Sequence, residues 1–274
     1  MSIKNILVAV APGADGDPGR DYAISMATAF KGHLAGRVYV LEPQISVGAL
    51  NGLPVEVLQS YRAEATKEAE AAAKKFEEAA RRAKVQSSHA VARATVSGAA
   101  EAFAQHARVH DISILTQSAK GMEHVGDVFA EAALFNSGRP VIIVPKNGRS
   151  QFSLDRVLIA WDGSSHAARA VASSMPILAL AKKIEIIVVG NKEKVQASRV
   201  HDLVRNLERH GLDPELTCVD ESDVSETIAK EAKTWSASLL VTGAYGHSRL
   251  TEWIFGGVTR FMLSNAPLPV LMAH

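Results

Sequence analysis

The sequence predicts an α/β protein built as two tandem, open-twisted parallel sheets with helices on both faces, the halves related by a pseudo-two-fold. Three observations predict it. Short apolar runs alternate with helical patterns, that series occurs twice in the same order, and 274 residues suit two domains of roughly 100–150 residues each. The first half is assigned to 1–147 and the second to 153–274, with the polar connector Asn147-Gly-Arg-Ser150 at their boundary.

The repeat is visible in three places. Ile6-Leu-Val-Ala-Val-Ala11 resembles Val157-Leu-Ile-Ala-Trp-Asp162, each run being followed by a glycine-containing turn and a helical pattern. Thr95 to Gln117 lies without gaps over Glu221 to Gly243, which sets Ile112-Ser-Ile-Leu-Thr116 on Ser238-Leu-Leu-Val-Thr242. Arg139-Pro-Val-Ile-Ile-Val144 corresponds to Leu268-Pro-Val-Leu-Met-Ala273.

In the first half, strands are predicted at 4–11, 34–41, 86–93, 112–117 and 140–145, with helices at 18–31, 55–83, 97–109 and 124–136. In the second, strands fall at 155–161, 184–190, 214–219, 238–243 and 268–273, with helices at 165–181, 194–210, 223–235 and 250–264. Apolar runs without alternation, such as Leu239-Leu-Val-Thr242, suit strands covered on both faces. Strands alternating with helices imply right-handed crossovers and a parallel sheet. In the longest helix Leu58, Tyr61, Ala65, Ala72, Phe76 and Ala79 recur at helical spacing, and so many alanines suit docking on the helix's own sheet. Residues 43–57 before it carry Val47, Leu50, Leu53 and Val55, apolar groups placed to cover a pocket or pack down.

Composition excludes several classes. A formal net charge of +1 lacks the basic excess of a nucleic-acid protein. The single cysteine, Cys218, forms no internal disulfide and reads as a buried, inert thiol in its strand. The start MSIKNILVAV lacks the order of a signal peptide, and no run reaches the roughly 18 apolar residues of a membrane span. The expectation is a cytoplasmic protein with no membrane and no nucleic-acid partner.

In an open α/β sheet ligands sit beyond the carboxyl ends of the strands, where the strand order reverses. Asp162 ends the first strand of the second half, and Thr242 and Gly243 end its fourth. The chain then runs through Gly246 and His247 to Gly256, Gly257, Val258 and Thr259. Glycines let main-chain amides approach a ligand that a Cβ blocks, and the following helix offers free N–H groups and a dipole to an anion. Asp162 is suited to an adenine amine or a ribose hydroxyl. The plainer reading is that these glycines only shape turns and caps.

The spacing Gly-x2-Gly-x9-Gly at 243, 246 and 256, with the opening "VLIAWDGS" and the closing "NAPLPVLM", resembles the universal stress protein family. The resemblance covers the second half fully and the first more weakly, giving a tandem type. It implies a strand order of 3-2-1-4-5 and ATP held by the glycine loop of the C-terminal half only. By position, Asp162 contacts the adenosine, and Val188 or Val189 lies near the base. Thr242 and Gly243 line the ribose side, while Gly246, Gly256, Gly257 and Val258 surround the phosphates. His247 is a further candidate for phosphate contact or an exposed loop residue. The family has Ser or Thr after the third glycine; here it is Gly257, which leaves the hydroxyl contact to Thr259 or Ser248. The family's domains pair through their final strands, so the tandem chain is expected to form an internal pseudo-dimer, with a further homodimer open.

The first half departs from this pattern: Ala11 stands for the aspartate, Gln117 for the first glycine and Lys120 for the second. Its turn Gly13-Ala-Asp-Gly16 reads as a lead-in to a helix with Pro18 in the first turn. The half is expected to be degenerate and structural. No Walker P-loop and no nucleophile elbow occurs. His106 and His110 are spaced to share a metal, but a solvated pair fits better, with no third ligand in sight. The expected function is a non-enzymatic stress-response protein that responds to adenine nucleotide and meets protein partners. The alternatives are an interaction protein with vestigial sites and a slow ATP hydrolase.

Overall fold

The computed structural model describes residues 2–12, 16–42, 55–117, 123–148, 150–244 and 257–274. The N-terminal half runs β1 (Asn5–Val10), α1 (Pro18–Phe30), β2 (His33–Leu41), α2 (Val55–Arg82), β3 (Ser87–Ala94), α3 (Val96–Ala107), β4 (Ile112–Thr116), α4 (Glu123–Asn136) and β5 (Val141–Val144). The C-terminal half begins with β6 (Arg156–Ala160), α5 (Ser165–Leu178), β7 (Lys183–Val189), α6 (Lys192–Ala197) and α7 (Val200–Arg209). It continues with β8 (Pro214–Val219), α8 (Val224–Thr234), β9 (Leu239–Gly243), α9 (Gly257–Asn265) and β10 (Val270–Ala273).

Helix starts follow the sequence. Asp17 caps α1 ahead of Pro18, and Thr95, Ser164 and Asp223 cap α3, α5 and α8 by accepting a main-chain N–H three residues on. The single helix predicted over 194–210 is two helices. Arg199 sits in the left-handed region at φ 54° and separates α6 from α7. The break is held against the end of β6: Trp161 Nε1 donates to the Ser198 carbonyl at 2.8 Å. Gly163, at φ +79°, passes so close that a Cβ would stand 2.8 Å from Ser198 Cα. With no glycine or proline at 198–199, the sequence carries no mark of this break.

The strand order is β3-β2-β1-β4-β5-β10-β9-β6-β7-β8. The order 3-2-1-4-5 therefore recurs in each half, but the two expected sheets are one ten-stranded sheet. Pairing is parallel throughout except at the centre, where β5 and β10 are antiparallel with Leu271 opposite Ile142. The order reads alike from both ends, as a local two-fold requires. Joining β5 to β10 satisfies two rows of main-chain groups that would otherwise be exposed edges.

Each face of the sheet carries one apolar core, and both cores cross the joint. Ile142 and Leu271 lie in one; Val141, Ile143, Val270 and Met272 lie in the other. The connector between the halves is anchored too. The Phe152 ring packs 5.6 Å from Tyr22 and 5.7 Å from Phe30, and its N–H donates to Ser25 Oγ. Helix α2 docks on its own sheet through Ala69, Phe76 and Ala80, with the Phe76 ring filling the space where Gly36 has no side chain. Tyr61, expected on that face, is exposed. The edge strands β3 and β8 are the least covered, and Cys218 near the end of β8 is exposed rather than buried. Among the described residues no helix is long and apolar enough to cross a membrane.

Candidate functional site

In the C-terminal half β6 lies between β7 and β9, and its neighbours' crossovers leave on opposite sides. The carboxyl ends of these three strands open into a cavity of about 670 Å³, within the ~300–1,000 Å³ of small-molecule sites. Asp162, Val189, Thr242, Gly243, Gly257, Val258 and Thr259 all line it. Val188 does not: on a strand successive side chains point to opposite faces, and Val188 is buried in the core of the other face. Gly246, His247 and Gly256, with Ser248, Arg249, Trp253 and Phe255, lie outside the described residues.

The two described glycines differ in what they make room for. A Cβ on Gly243 would stand 2.6 Å from the Ala167 nitrogen and 2.8 Å from the His166 carbonyl carbon. The space at Gly243 is thus filled by the first turn of α5, so this glycine serves helix packing rather than ligand approach. At Gly257 a Cβ would meet nothing within 4 Å among the described residues. That position, on the first turn of α9, is open.

Several lining residues carried no sequence signal. Ser222, Asp223, Val224, Ser225 and Ile228 come from the start of α8, and Ile187 joins Val189 from β7. Trp161, Ser164 and His166 complete the side facing α5. The Ser222-Asp223 capping pair before α8 was the available hint. Its position beside β6 follows only from the crossover.

The charges divide the cavity. Asp223 Oδ1 accepts from the Glu226 nitrogen, so a carboxylate already occupies the N-terminus of α8. Helix α9 has no acidic residue in its first turn, which leaves its N–H groups and dipole as the anion-favouring end. Asp162 is exposed, with Oδ1 accepting from the Ser164 nitrogen at 2.9 Å. Ile187, Val189 and Ile228 supply an apolar wall. His166 stacks on His274 at 4.4 Å. Burial holds the His166 imidazole below its usual range; His274 and Arg169 add to this and Asp162 opposes it.

The matching place in the N-terminal half is built differently. An aspartate is present, but it is Asp17, the α1 cap, rather than a strand-end residue. Its carboxylate accepts from the Ala11 nitrogen, the Arg20 nitrogen and the Thr116 hydroxyl, while Thr116 Oγ1 accepts from the Gly19 nitrogen. Gln117, standing where the other half has Gly243, reaches across the joint and donates to the Leu263 carbonyl in the last turn of α9 at 3.0 Å. Lys120 lies outside the described residues. His110 Nδ1 meets the His106 carbonyl at 2.7 Å, and no group of three metal-ligating side chains forms among the described residues.

Residues 153–274 match the model of the universal stress protein family. A universal stress protein of Synechocystis is 26% identical over 136 residues, covering 48% of this chain and 46% of its own, so the match spans about half of that relative. The crystal structure of a universal stress protein from Archaeoglobus fulgidus superposes with a TM-score of 0.73 at 14% identity, covering 98% of both chains. The cytoplasmic domain of a prokaryotic cation chloride cotransporter shares the fold at a TM-score of 0.52 and 12% identity, covering 99% of this chain and 96% of that one. Residues 153–274 are thus similar to the universal stress protein family, and over its whole length the chain has the fold of the Archaeoglobus fulgidus structure.

Proposed function

We propose that the chain is a non-enzymatic stress-response protein of the cytoplasm that binds an adenine nucleotide, ATP foremost, in its C-terminal half. The observation that carries this reading is the cavity at the carboxyl ends of β6, β7 and β9, polar at one end and apolar at the other. The adenine lies against Ile187, Val189 and Ile228, and Asp162 accepts from the base or the ribose. Thr242 and Gly243 form the floor beside the sugar. The phosphates point away from Asp223 and toward the first turn of α9 at Gly257, Val258 and Thr259, where the helix N-terminus and its dipole favour anions. Gly246, His247 and Gly256 belong to the same proposed loop through the family resemblance. The domain division, 1–147 and 153–274, assigns nucleotide to the second unit. The first serves to pair with it through β5 and β10, as an internal pseudo-dimer on which a further homodimer can build.

Calorimetric titration of the intact protein with ATP, ADP and AMP tests the reading. Binding is expected, and Asp162→Ala weakens it about fivefold or more. Gly257→Ser restores a hydroxyl where the family has one and where the described structure leaves room. It is expected to tighten ATP about tenfold, the worth of one hydrogen bond to a charged group. Absence of heat with all three nucleotides would sink the proposal.

A further inference from the structure

The N-terminal half has a cavity of its own, about 370 Å³, beyond the carboxyl ends of β1, β2 and β4. Its walls are Tyr39 and Leu41 from β2, Leu115 from β4, and Val125 and Phe129 from α4. Apart from the buried Tyr39 hydroxyl, these side chains offer only carbon. The polar groups at the floor are already spent on one another. The Asp17 carboxylate takes three protein donors, and the Thr116 hydroxyl both donates to Asp17 and accepts from Gly19. The Gln117 amide nitrogen is spent on Leu263. Among the described residues the Tyr39 hydroxyl is the one side-chain polar atom of this lining that is buried without a partner, too few to replace the water that a ribose or a phosphate would lose on entering. A hydrocarbon body loses nothing by leaving water and gains by burial. At the rim stands Lys146, exposed and without a carboxylate partner among the described residues.

We infer that this cavity is a second ligand site, one that takes a compact apolar carboxylate of the medium-chain fatty acid class. The chain lies among Tyr39, Leu41, Leu115 and Phe129, and the carboxylate stays at the mouth beside Lys146. Its size, at the lower end of the ~300–1,000 Å³ range for such sites, favours a short chain over a full-length lipid tail. The division of labour follows from the lining: the two cavities occupy equivalent places on one sheet, and the N-terminal one is walled by Tyr39, Leu41, Leu115, Val125 and Phe129. The site is independent of nucleotide binding, so either reading can fail without the other.

Calorimetric titration with decanoate, kept below the concentration at which it forms micelles, tests this on the intact chain, with decan-1-ol as the neutral control. Saturable one-to-one binding of decanoate is expected, with decan-1-ol binding more weakly. Lys146→Ala should weaken decanoate about fivefold and leave decan-1-ol unchanged. Val125→Trp, a change on the half-exposed start of α4, should fill the cavity and abolish both; an unchanged circular-dichroism melt shows that the variant is folded. Failure of decanoate to bind the unmodified protein, or its undiminished binding to folded Val125→Trp, overturns the site. Equal decanoate binding before and after Lys146→Ala overturns the assignment of a carboxylate.

Discussion

Glu185 is buried on β7, with Thr217 donating to Oε1 while Oε2 has no partner. Burial pushes its carboxyl above the usual range; the Thr217 bond opposes this, and Glu231 and Glu215 add to it. The folded chain therefore holds this proton to higher pH than the unfolded chain. Stability from Glu185 is full below the ordinary glutamate range and is lost as pH rises through the raised value. Glu185→Gln, which stays neutral, is expected to raise the melting temperature at pH 7 and change it little at pH 4. Gly243 gives a second prediction. Gly243→Ala drives a methyl into the first turn of α5 and should cost ~1–3 kcal/mol in urea unfolding, with or without nucleotide. Loss of binding in that variant would report on packing, whereas Gly257 and Asp162 report on the ligand. Asp162, Thr242 and Gly243 were legible in the sequence because they stand at strand ends, and 257–259 because a glycine pattern leads into a helix there. Choosing Val189 over Val188 needed the strand's parity, which a continuous apolar run conceals.

At the scale of elements, the break between α6 and α7 depends on a contact distant in sequence. Trp161→Phe keeps the ring's bulk but removes the N–H that holds the Ser198 carbonyl. A loss of ~1 kcal/mol is expected, read by chemical denaturation, together with faster amide exchange over 198–203 than elsewhere in the half. Helix α9 shows the same dependence at its other end. Gln117→Ala frees the Leu263 carbonyl and should cost ~0.5–1.5 kcal/mol, although residue 117 belongs to the opposite half. The start of α8 enters the candidate site for a comparable reason: a crossover returns it over β7 and β6, where no local pattern could place it.

The whole molecule is one sheet with two continuous cores, so the halves are expected to unfold together. Leu271→Asp places a charge at the centre of the joint. It should lower protection from amide exchange in β1 and β6 alike, with a loss of ~3 kcal/mol or more. Separate melting of the two halves in the unmodified chain would contradict this. Overall pH dependence has a clear sign. Burial is the main cause that holds His106, His110 and His166 below the usual imidazole range. As pH falls below ~6.5 the unfolded chain takes up these protons first, so stability should drop from pH 7 toward pH 5. A urea-midpoint series should show that slope, flattened when the three are replaced by Gln.

The sequence by itself determined the α/β class, the repeat, the order and approximate bounds of the elements, and the strand ends that line the candidate cavity. These are properties of local periodicity and of side chains that follow one another along the chain. Tertiary structure alone decided that two five-stranded sheets are one, that Phe152 fastens the connector into α1, and that Gly243 makes room for a helix. It also decided that Asp17 and Thr116 spend their polar groups on each other, leaving a largely apolar cavity in one half and one of mixed lining in the other. Each of these rests on atoms brought together from distant positions, and hydrogen-bond satisfaction and packing are settled only when such atoms meet.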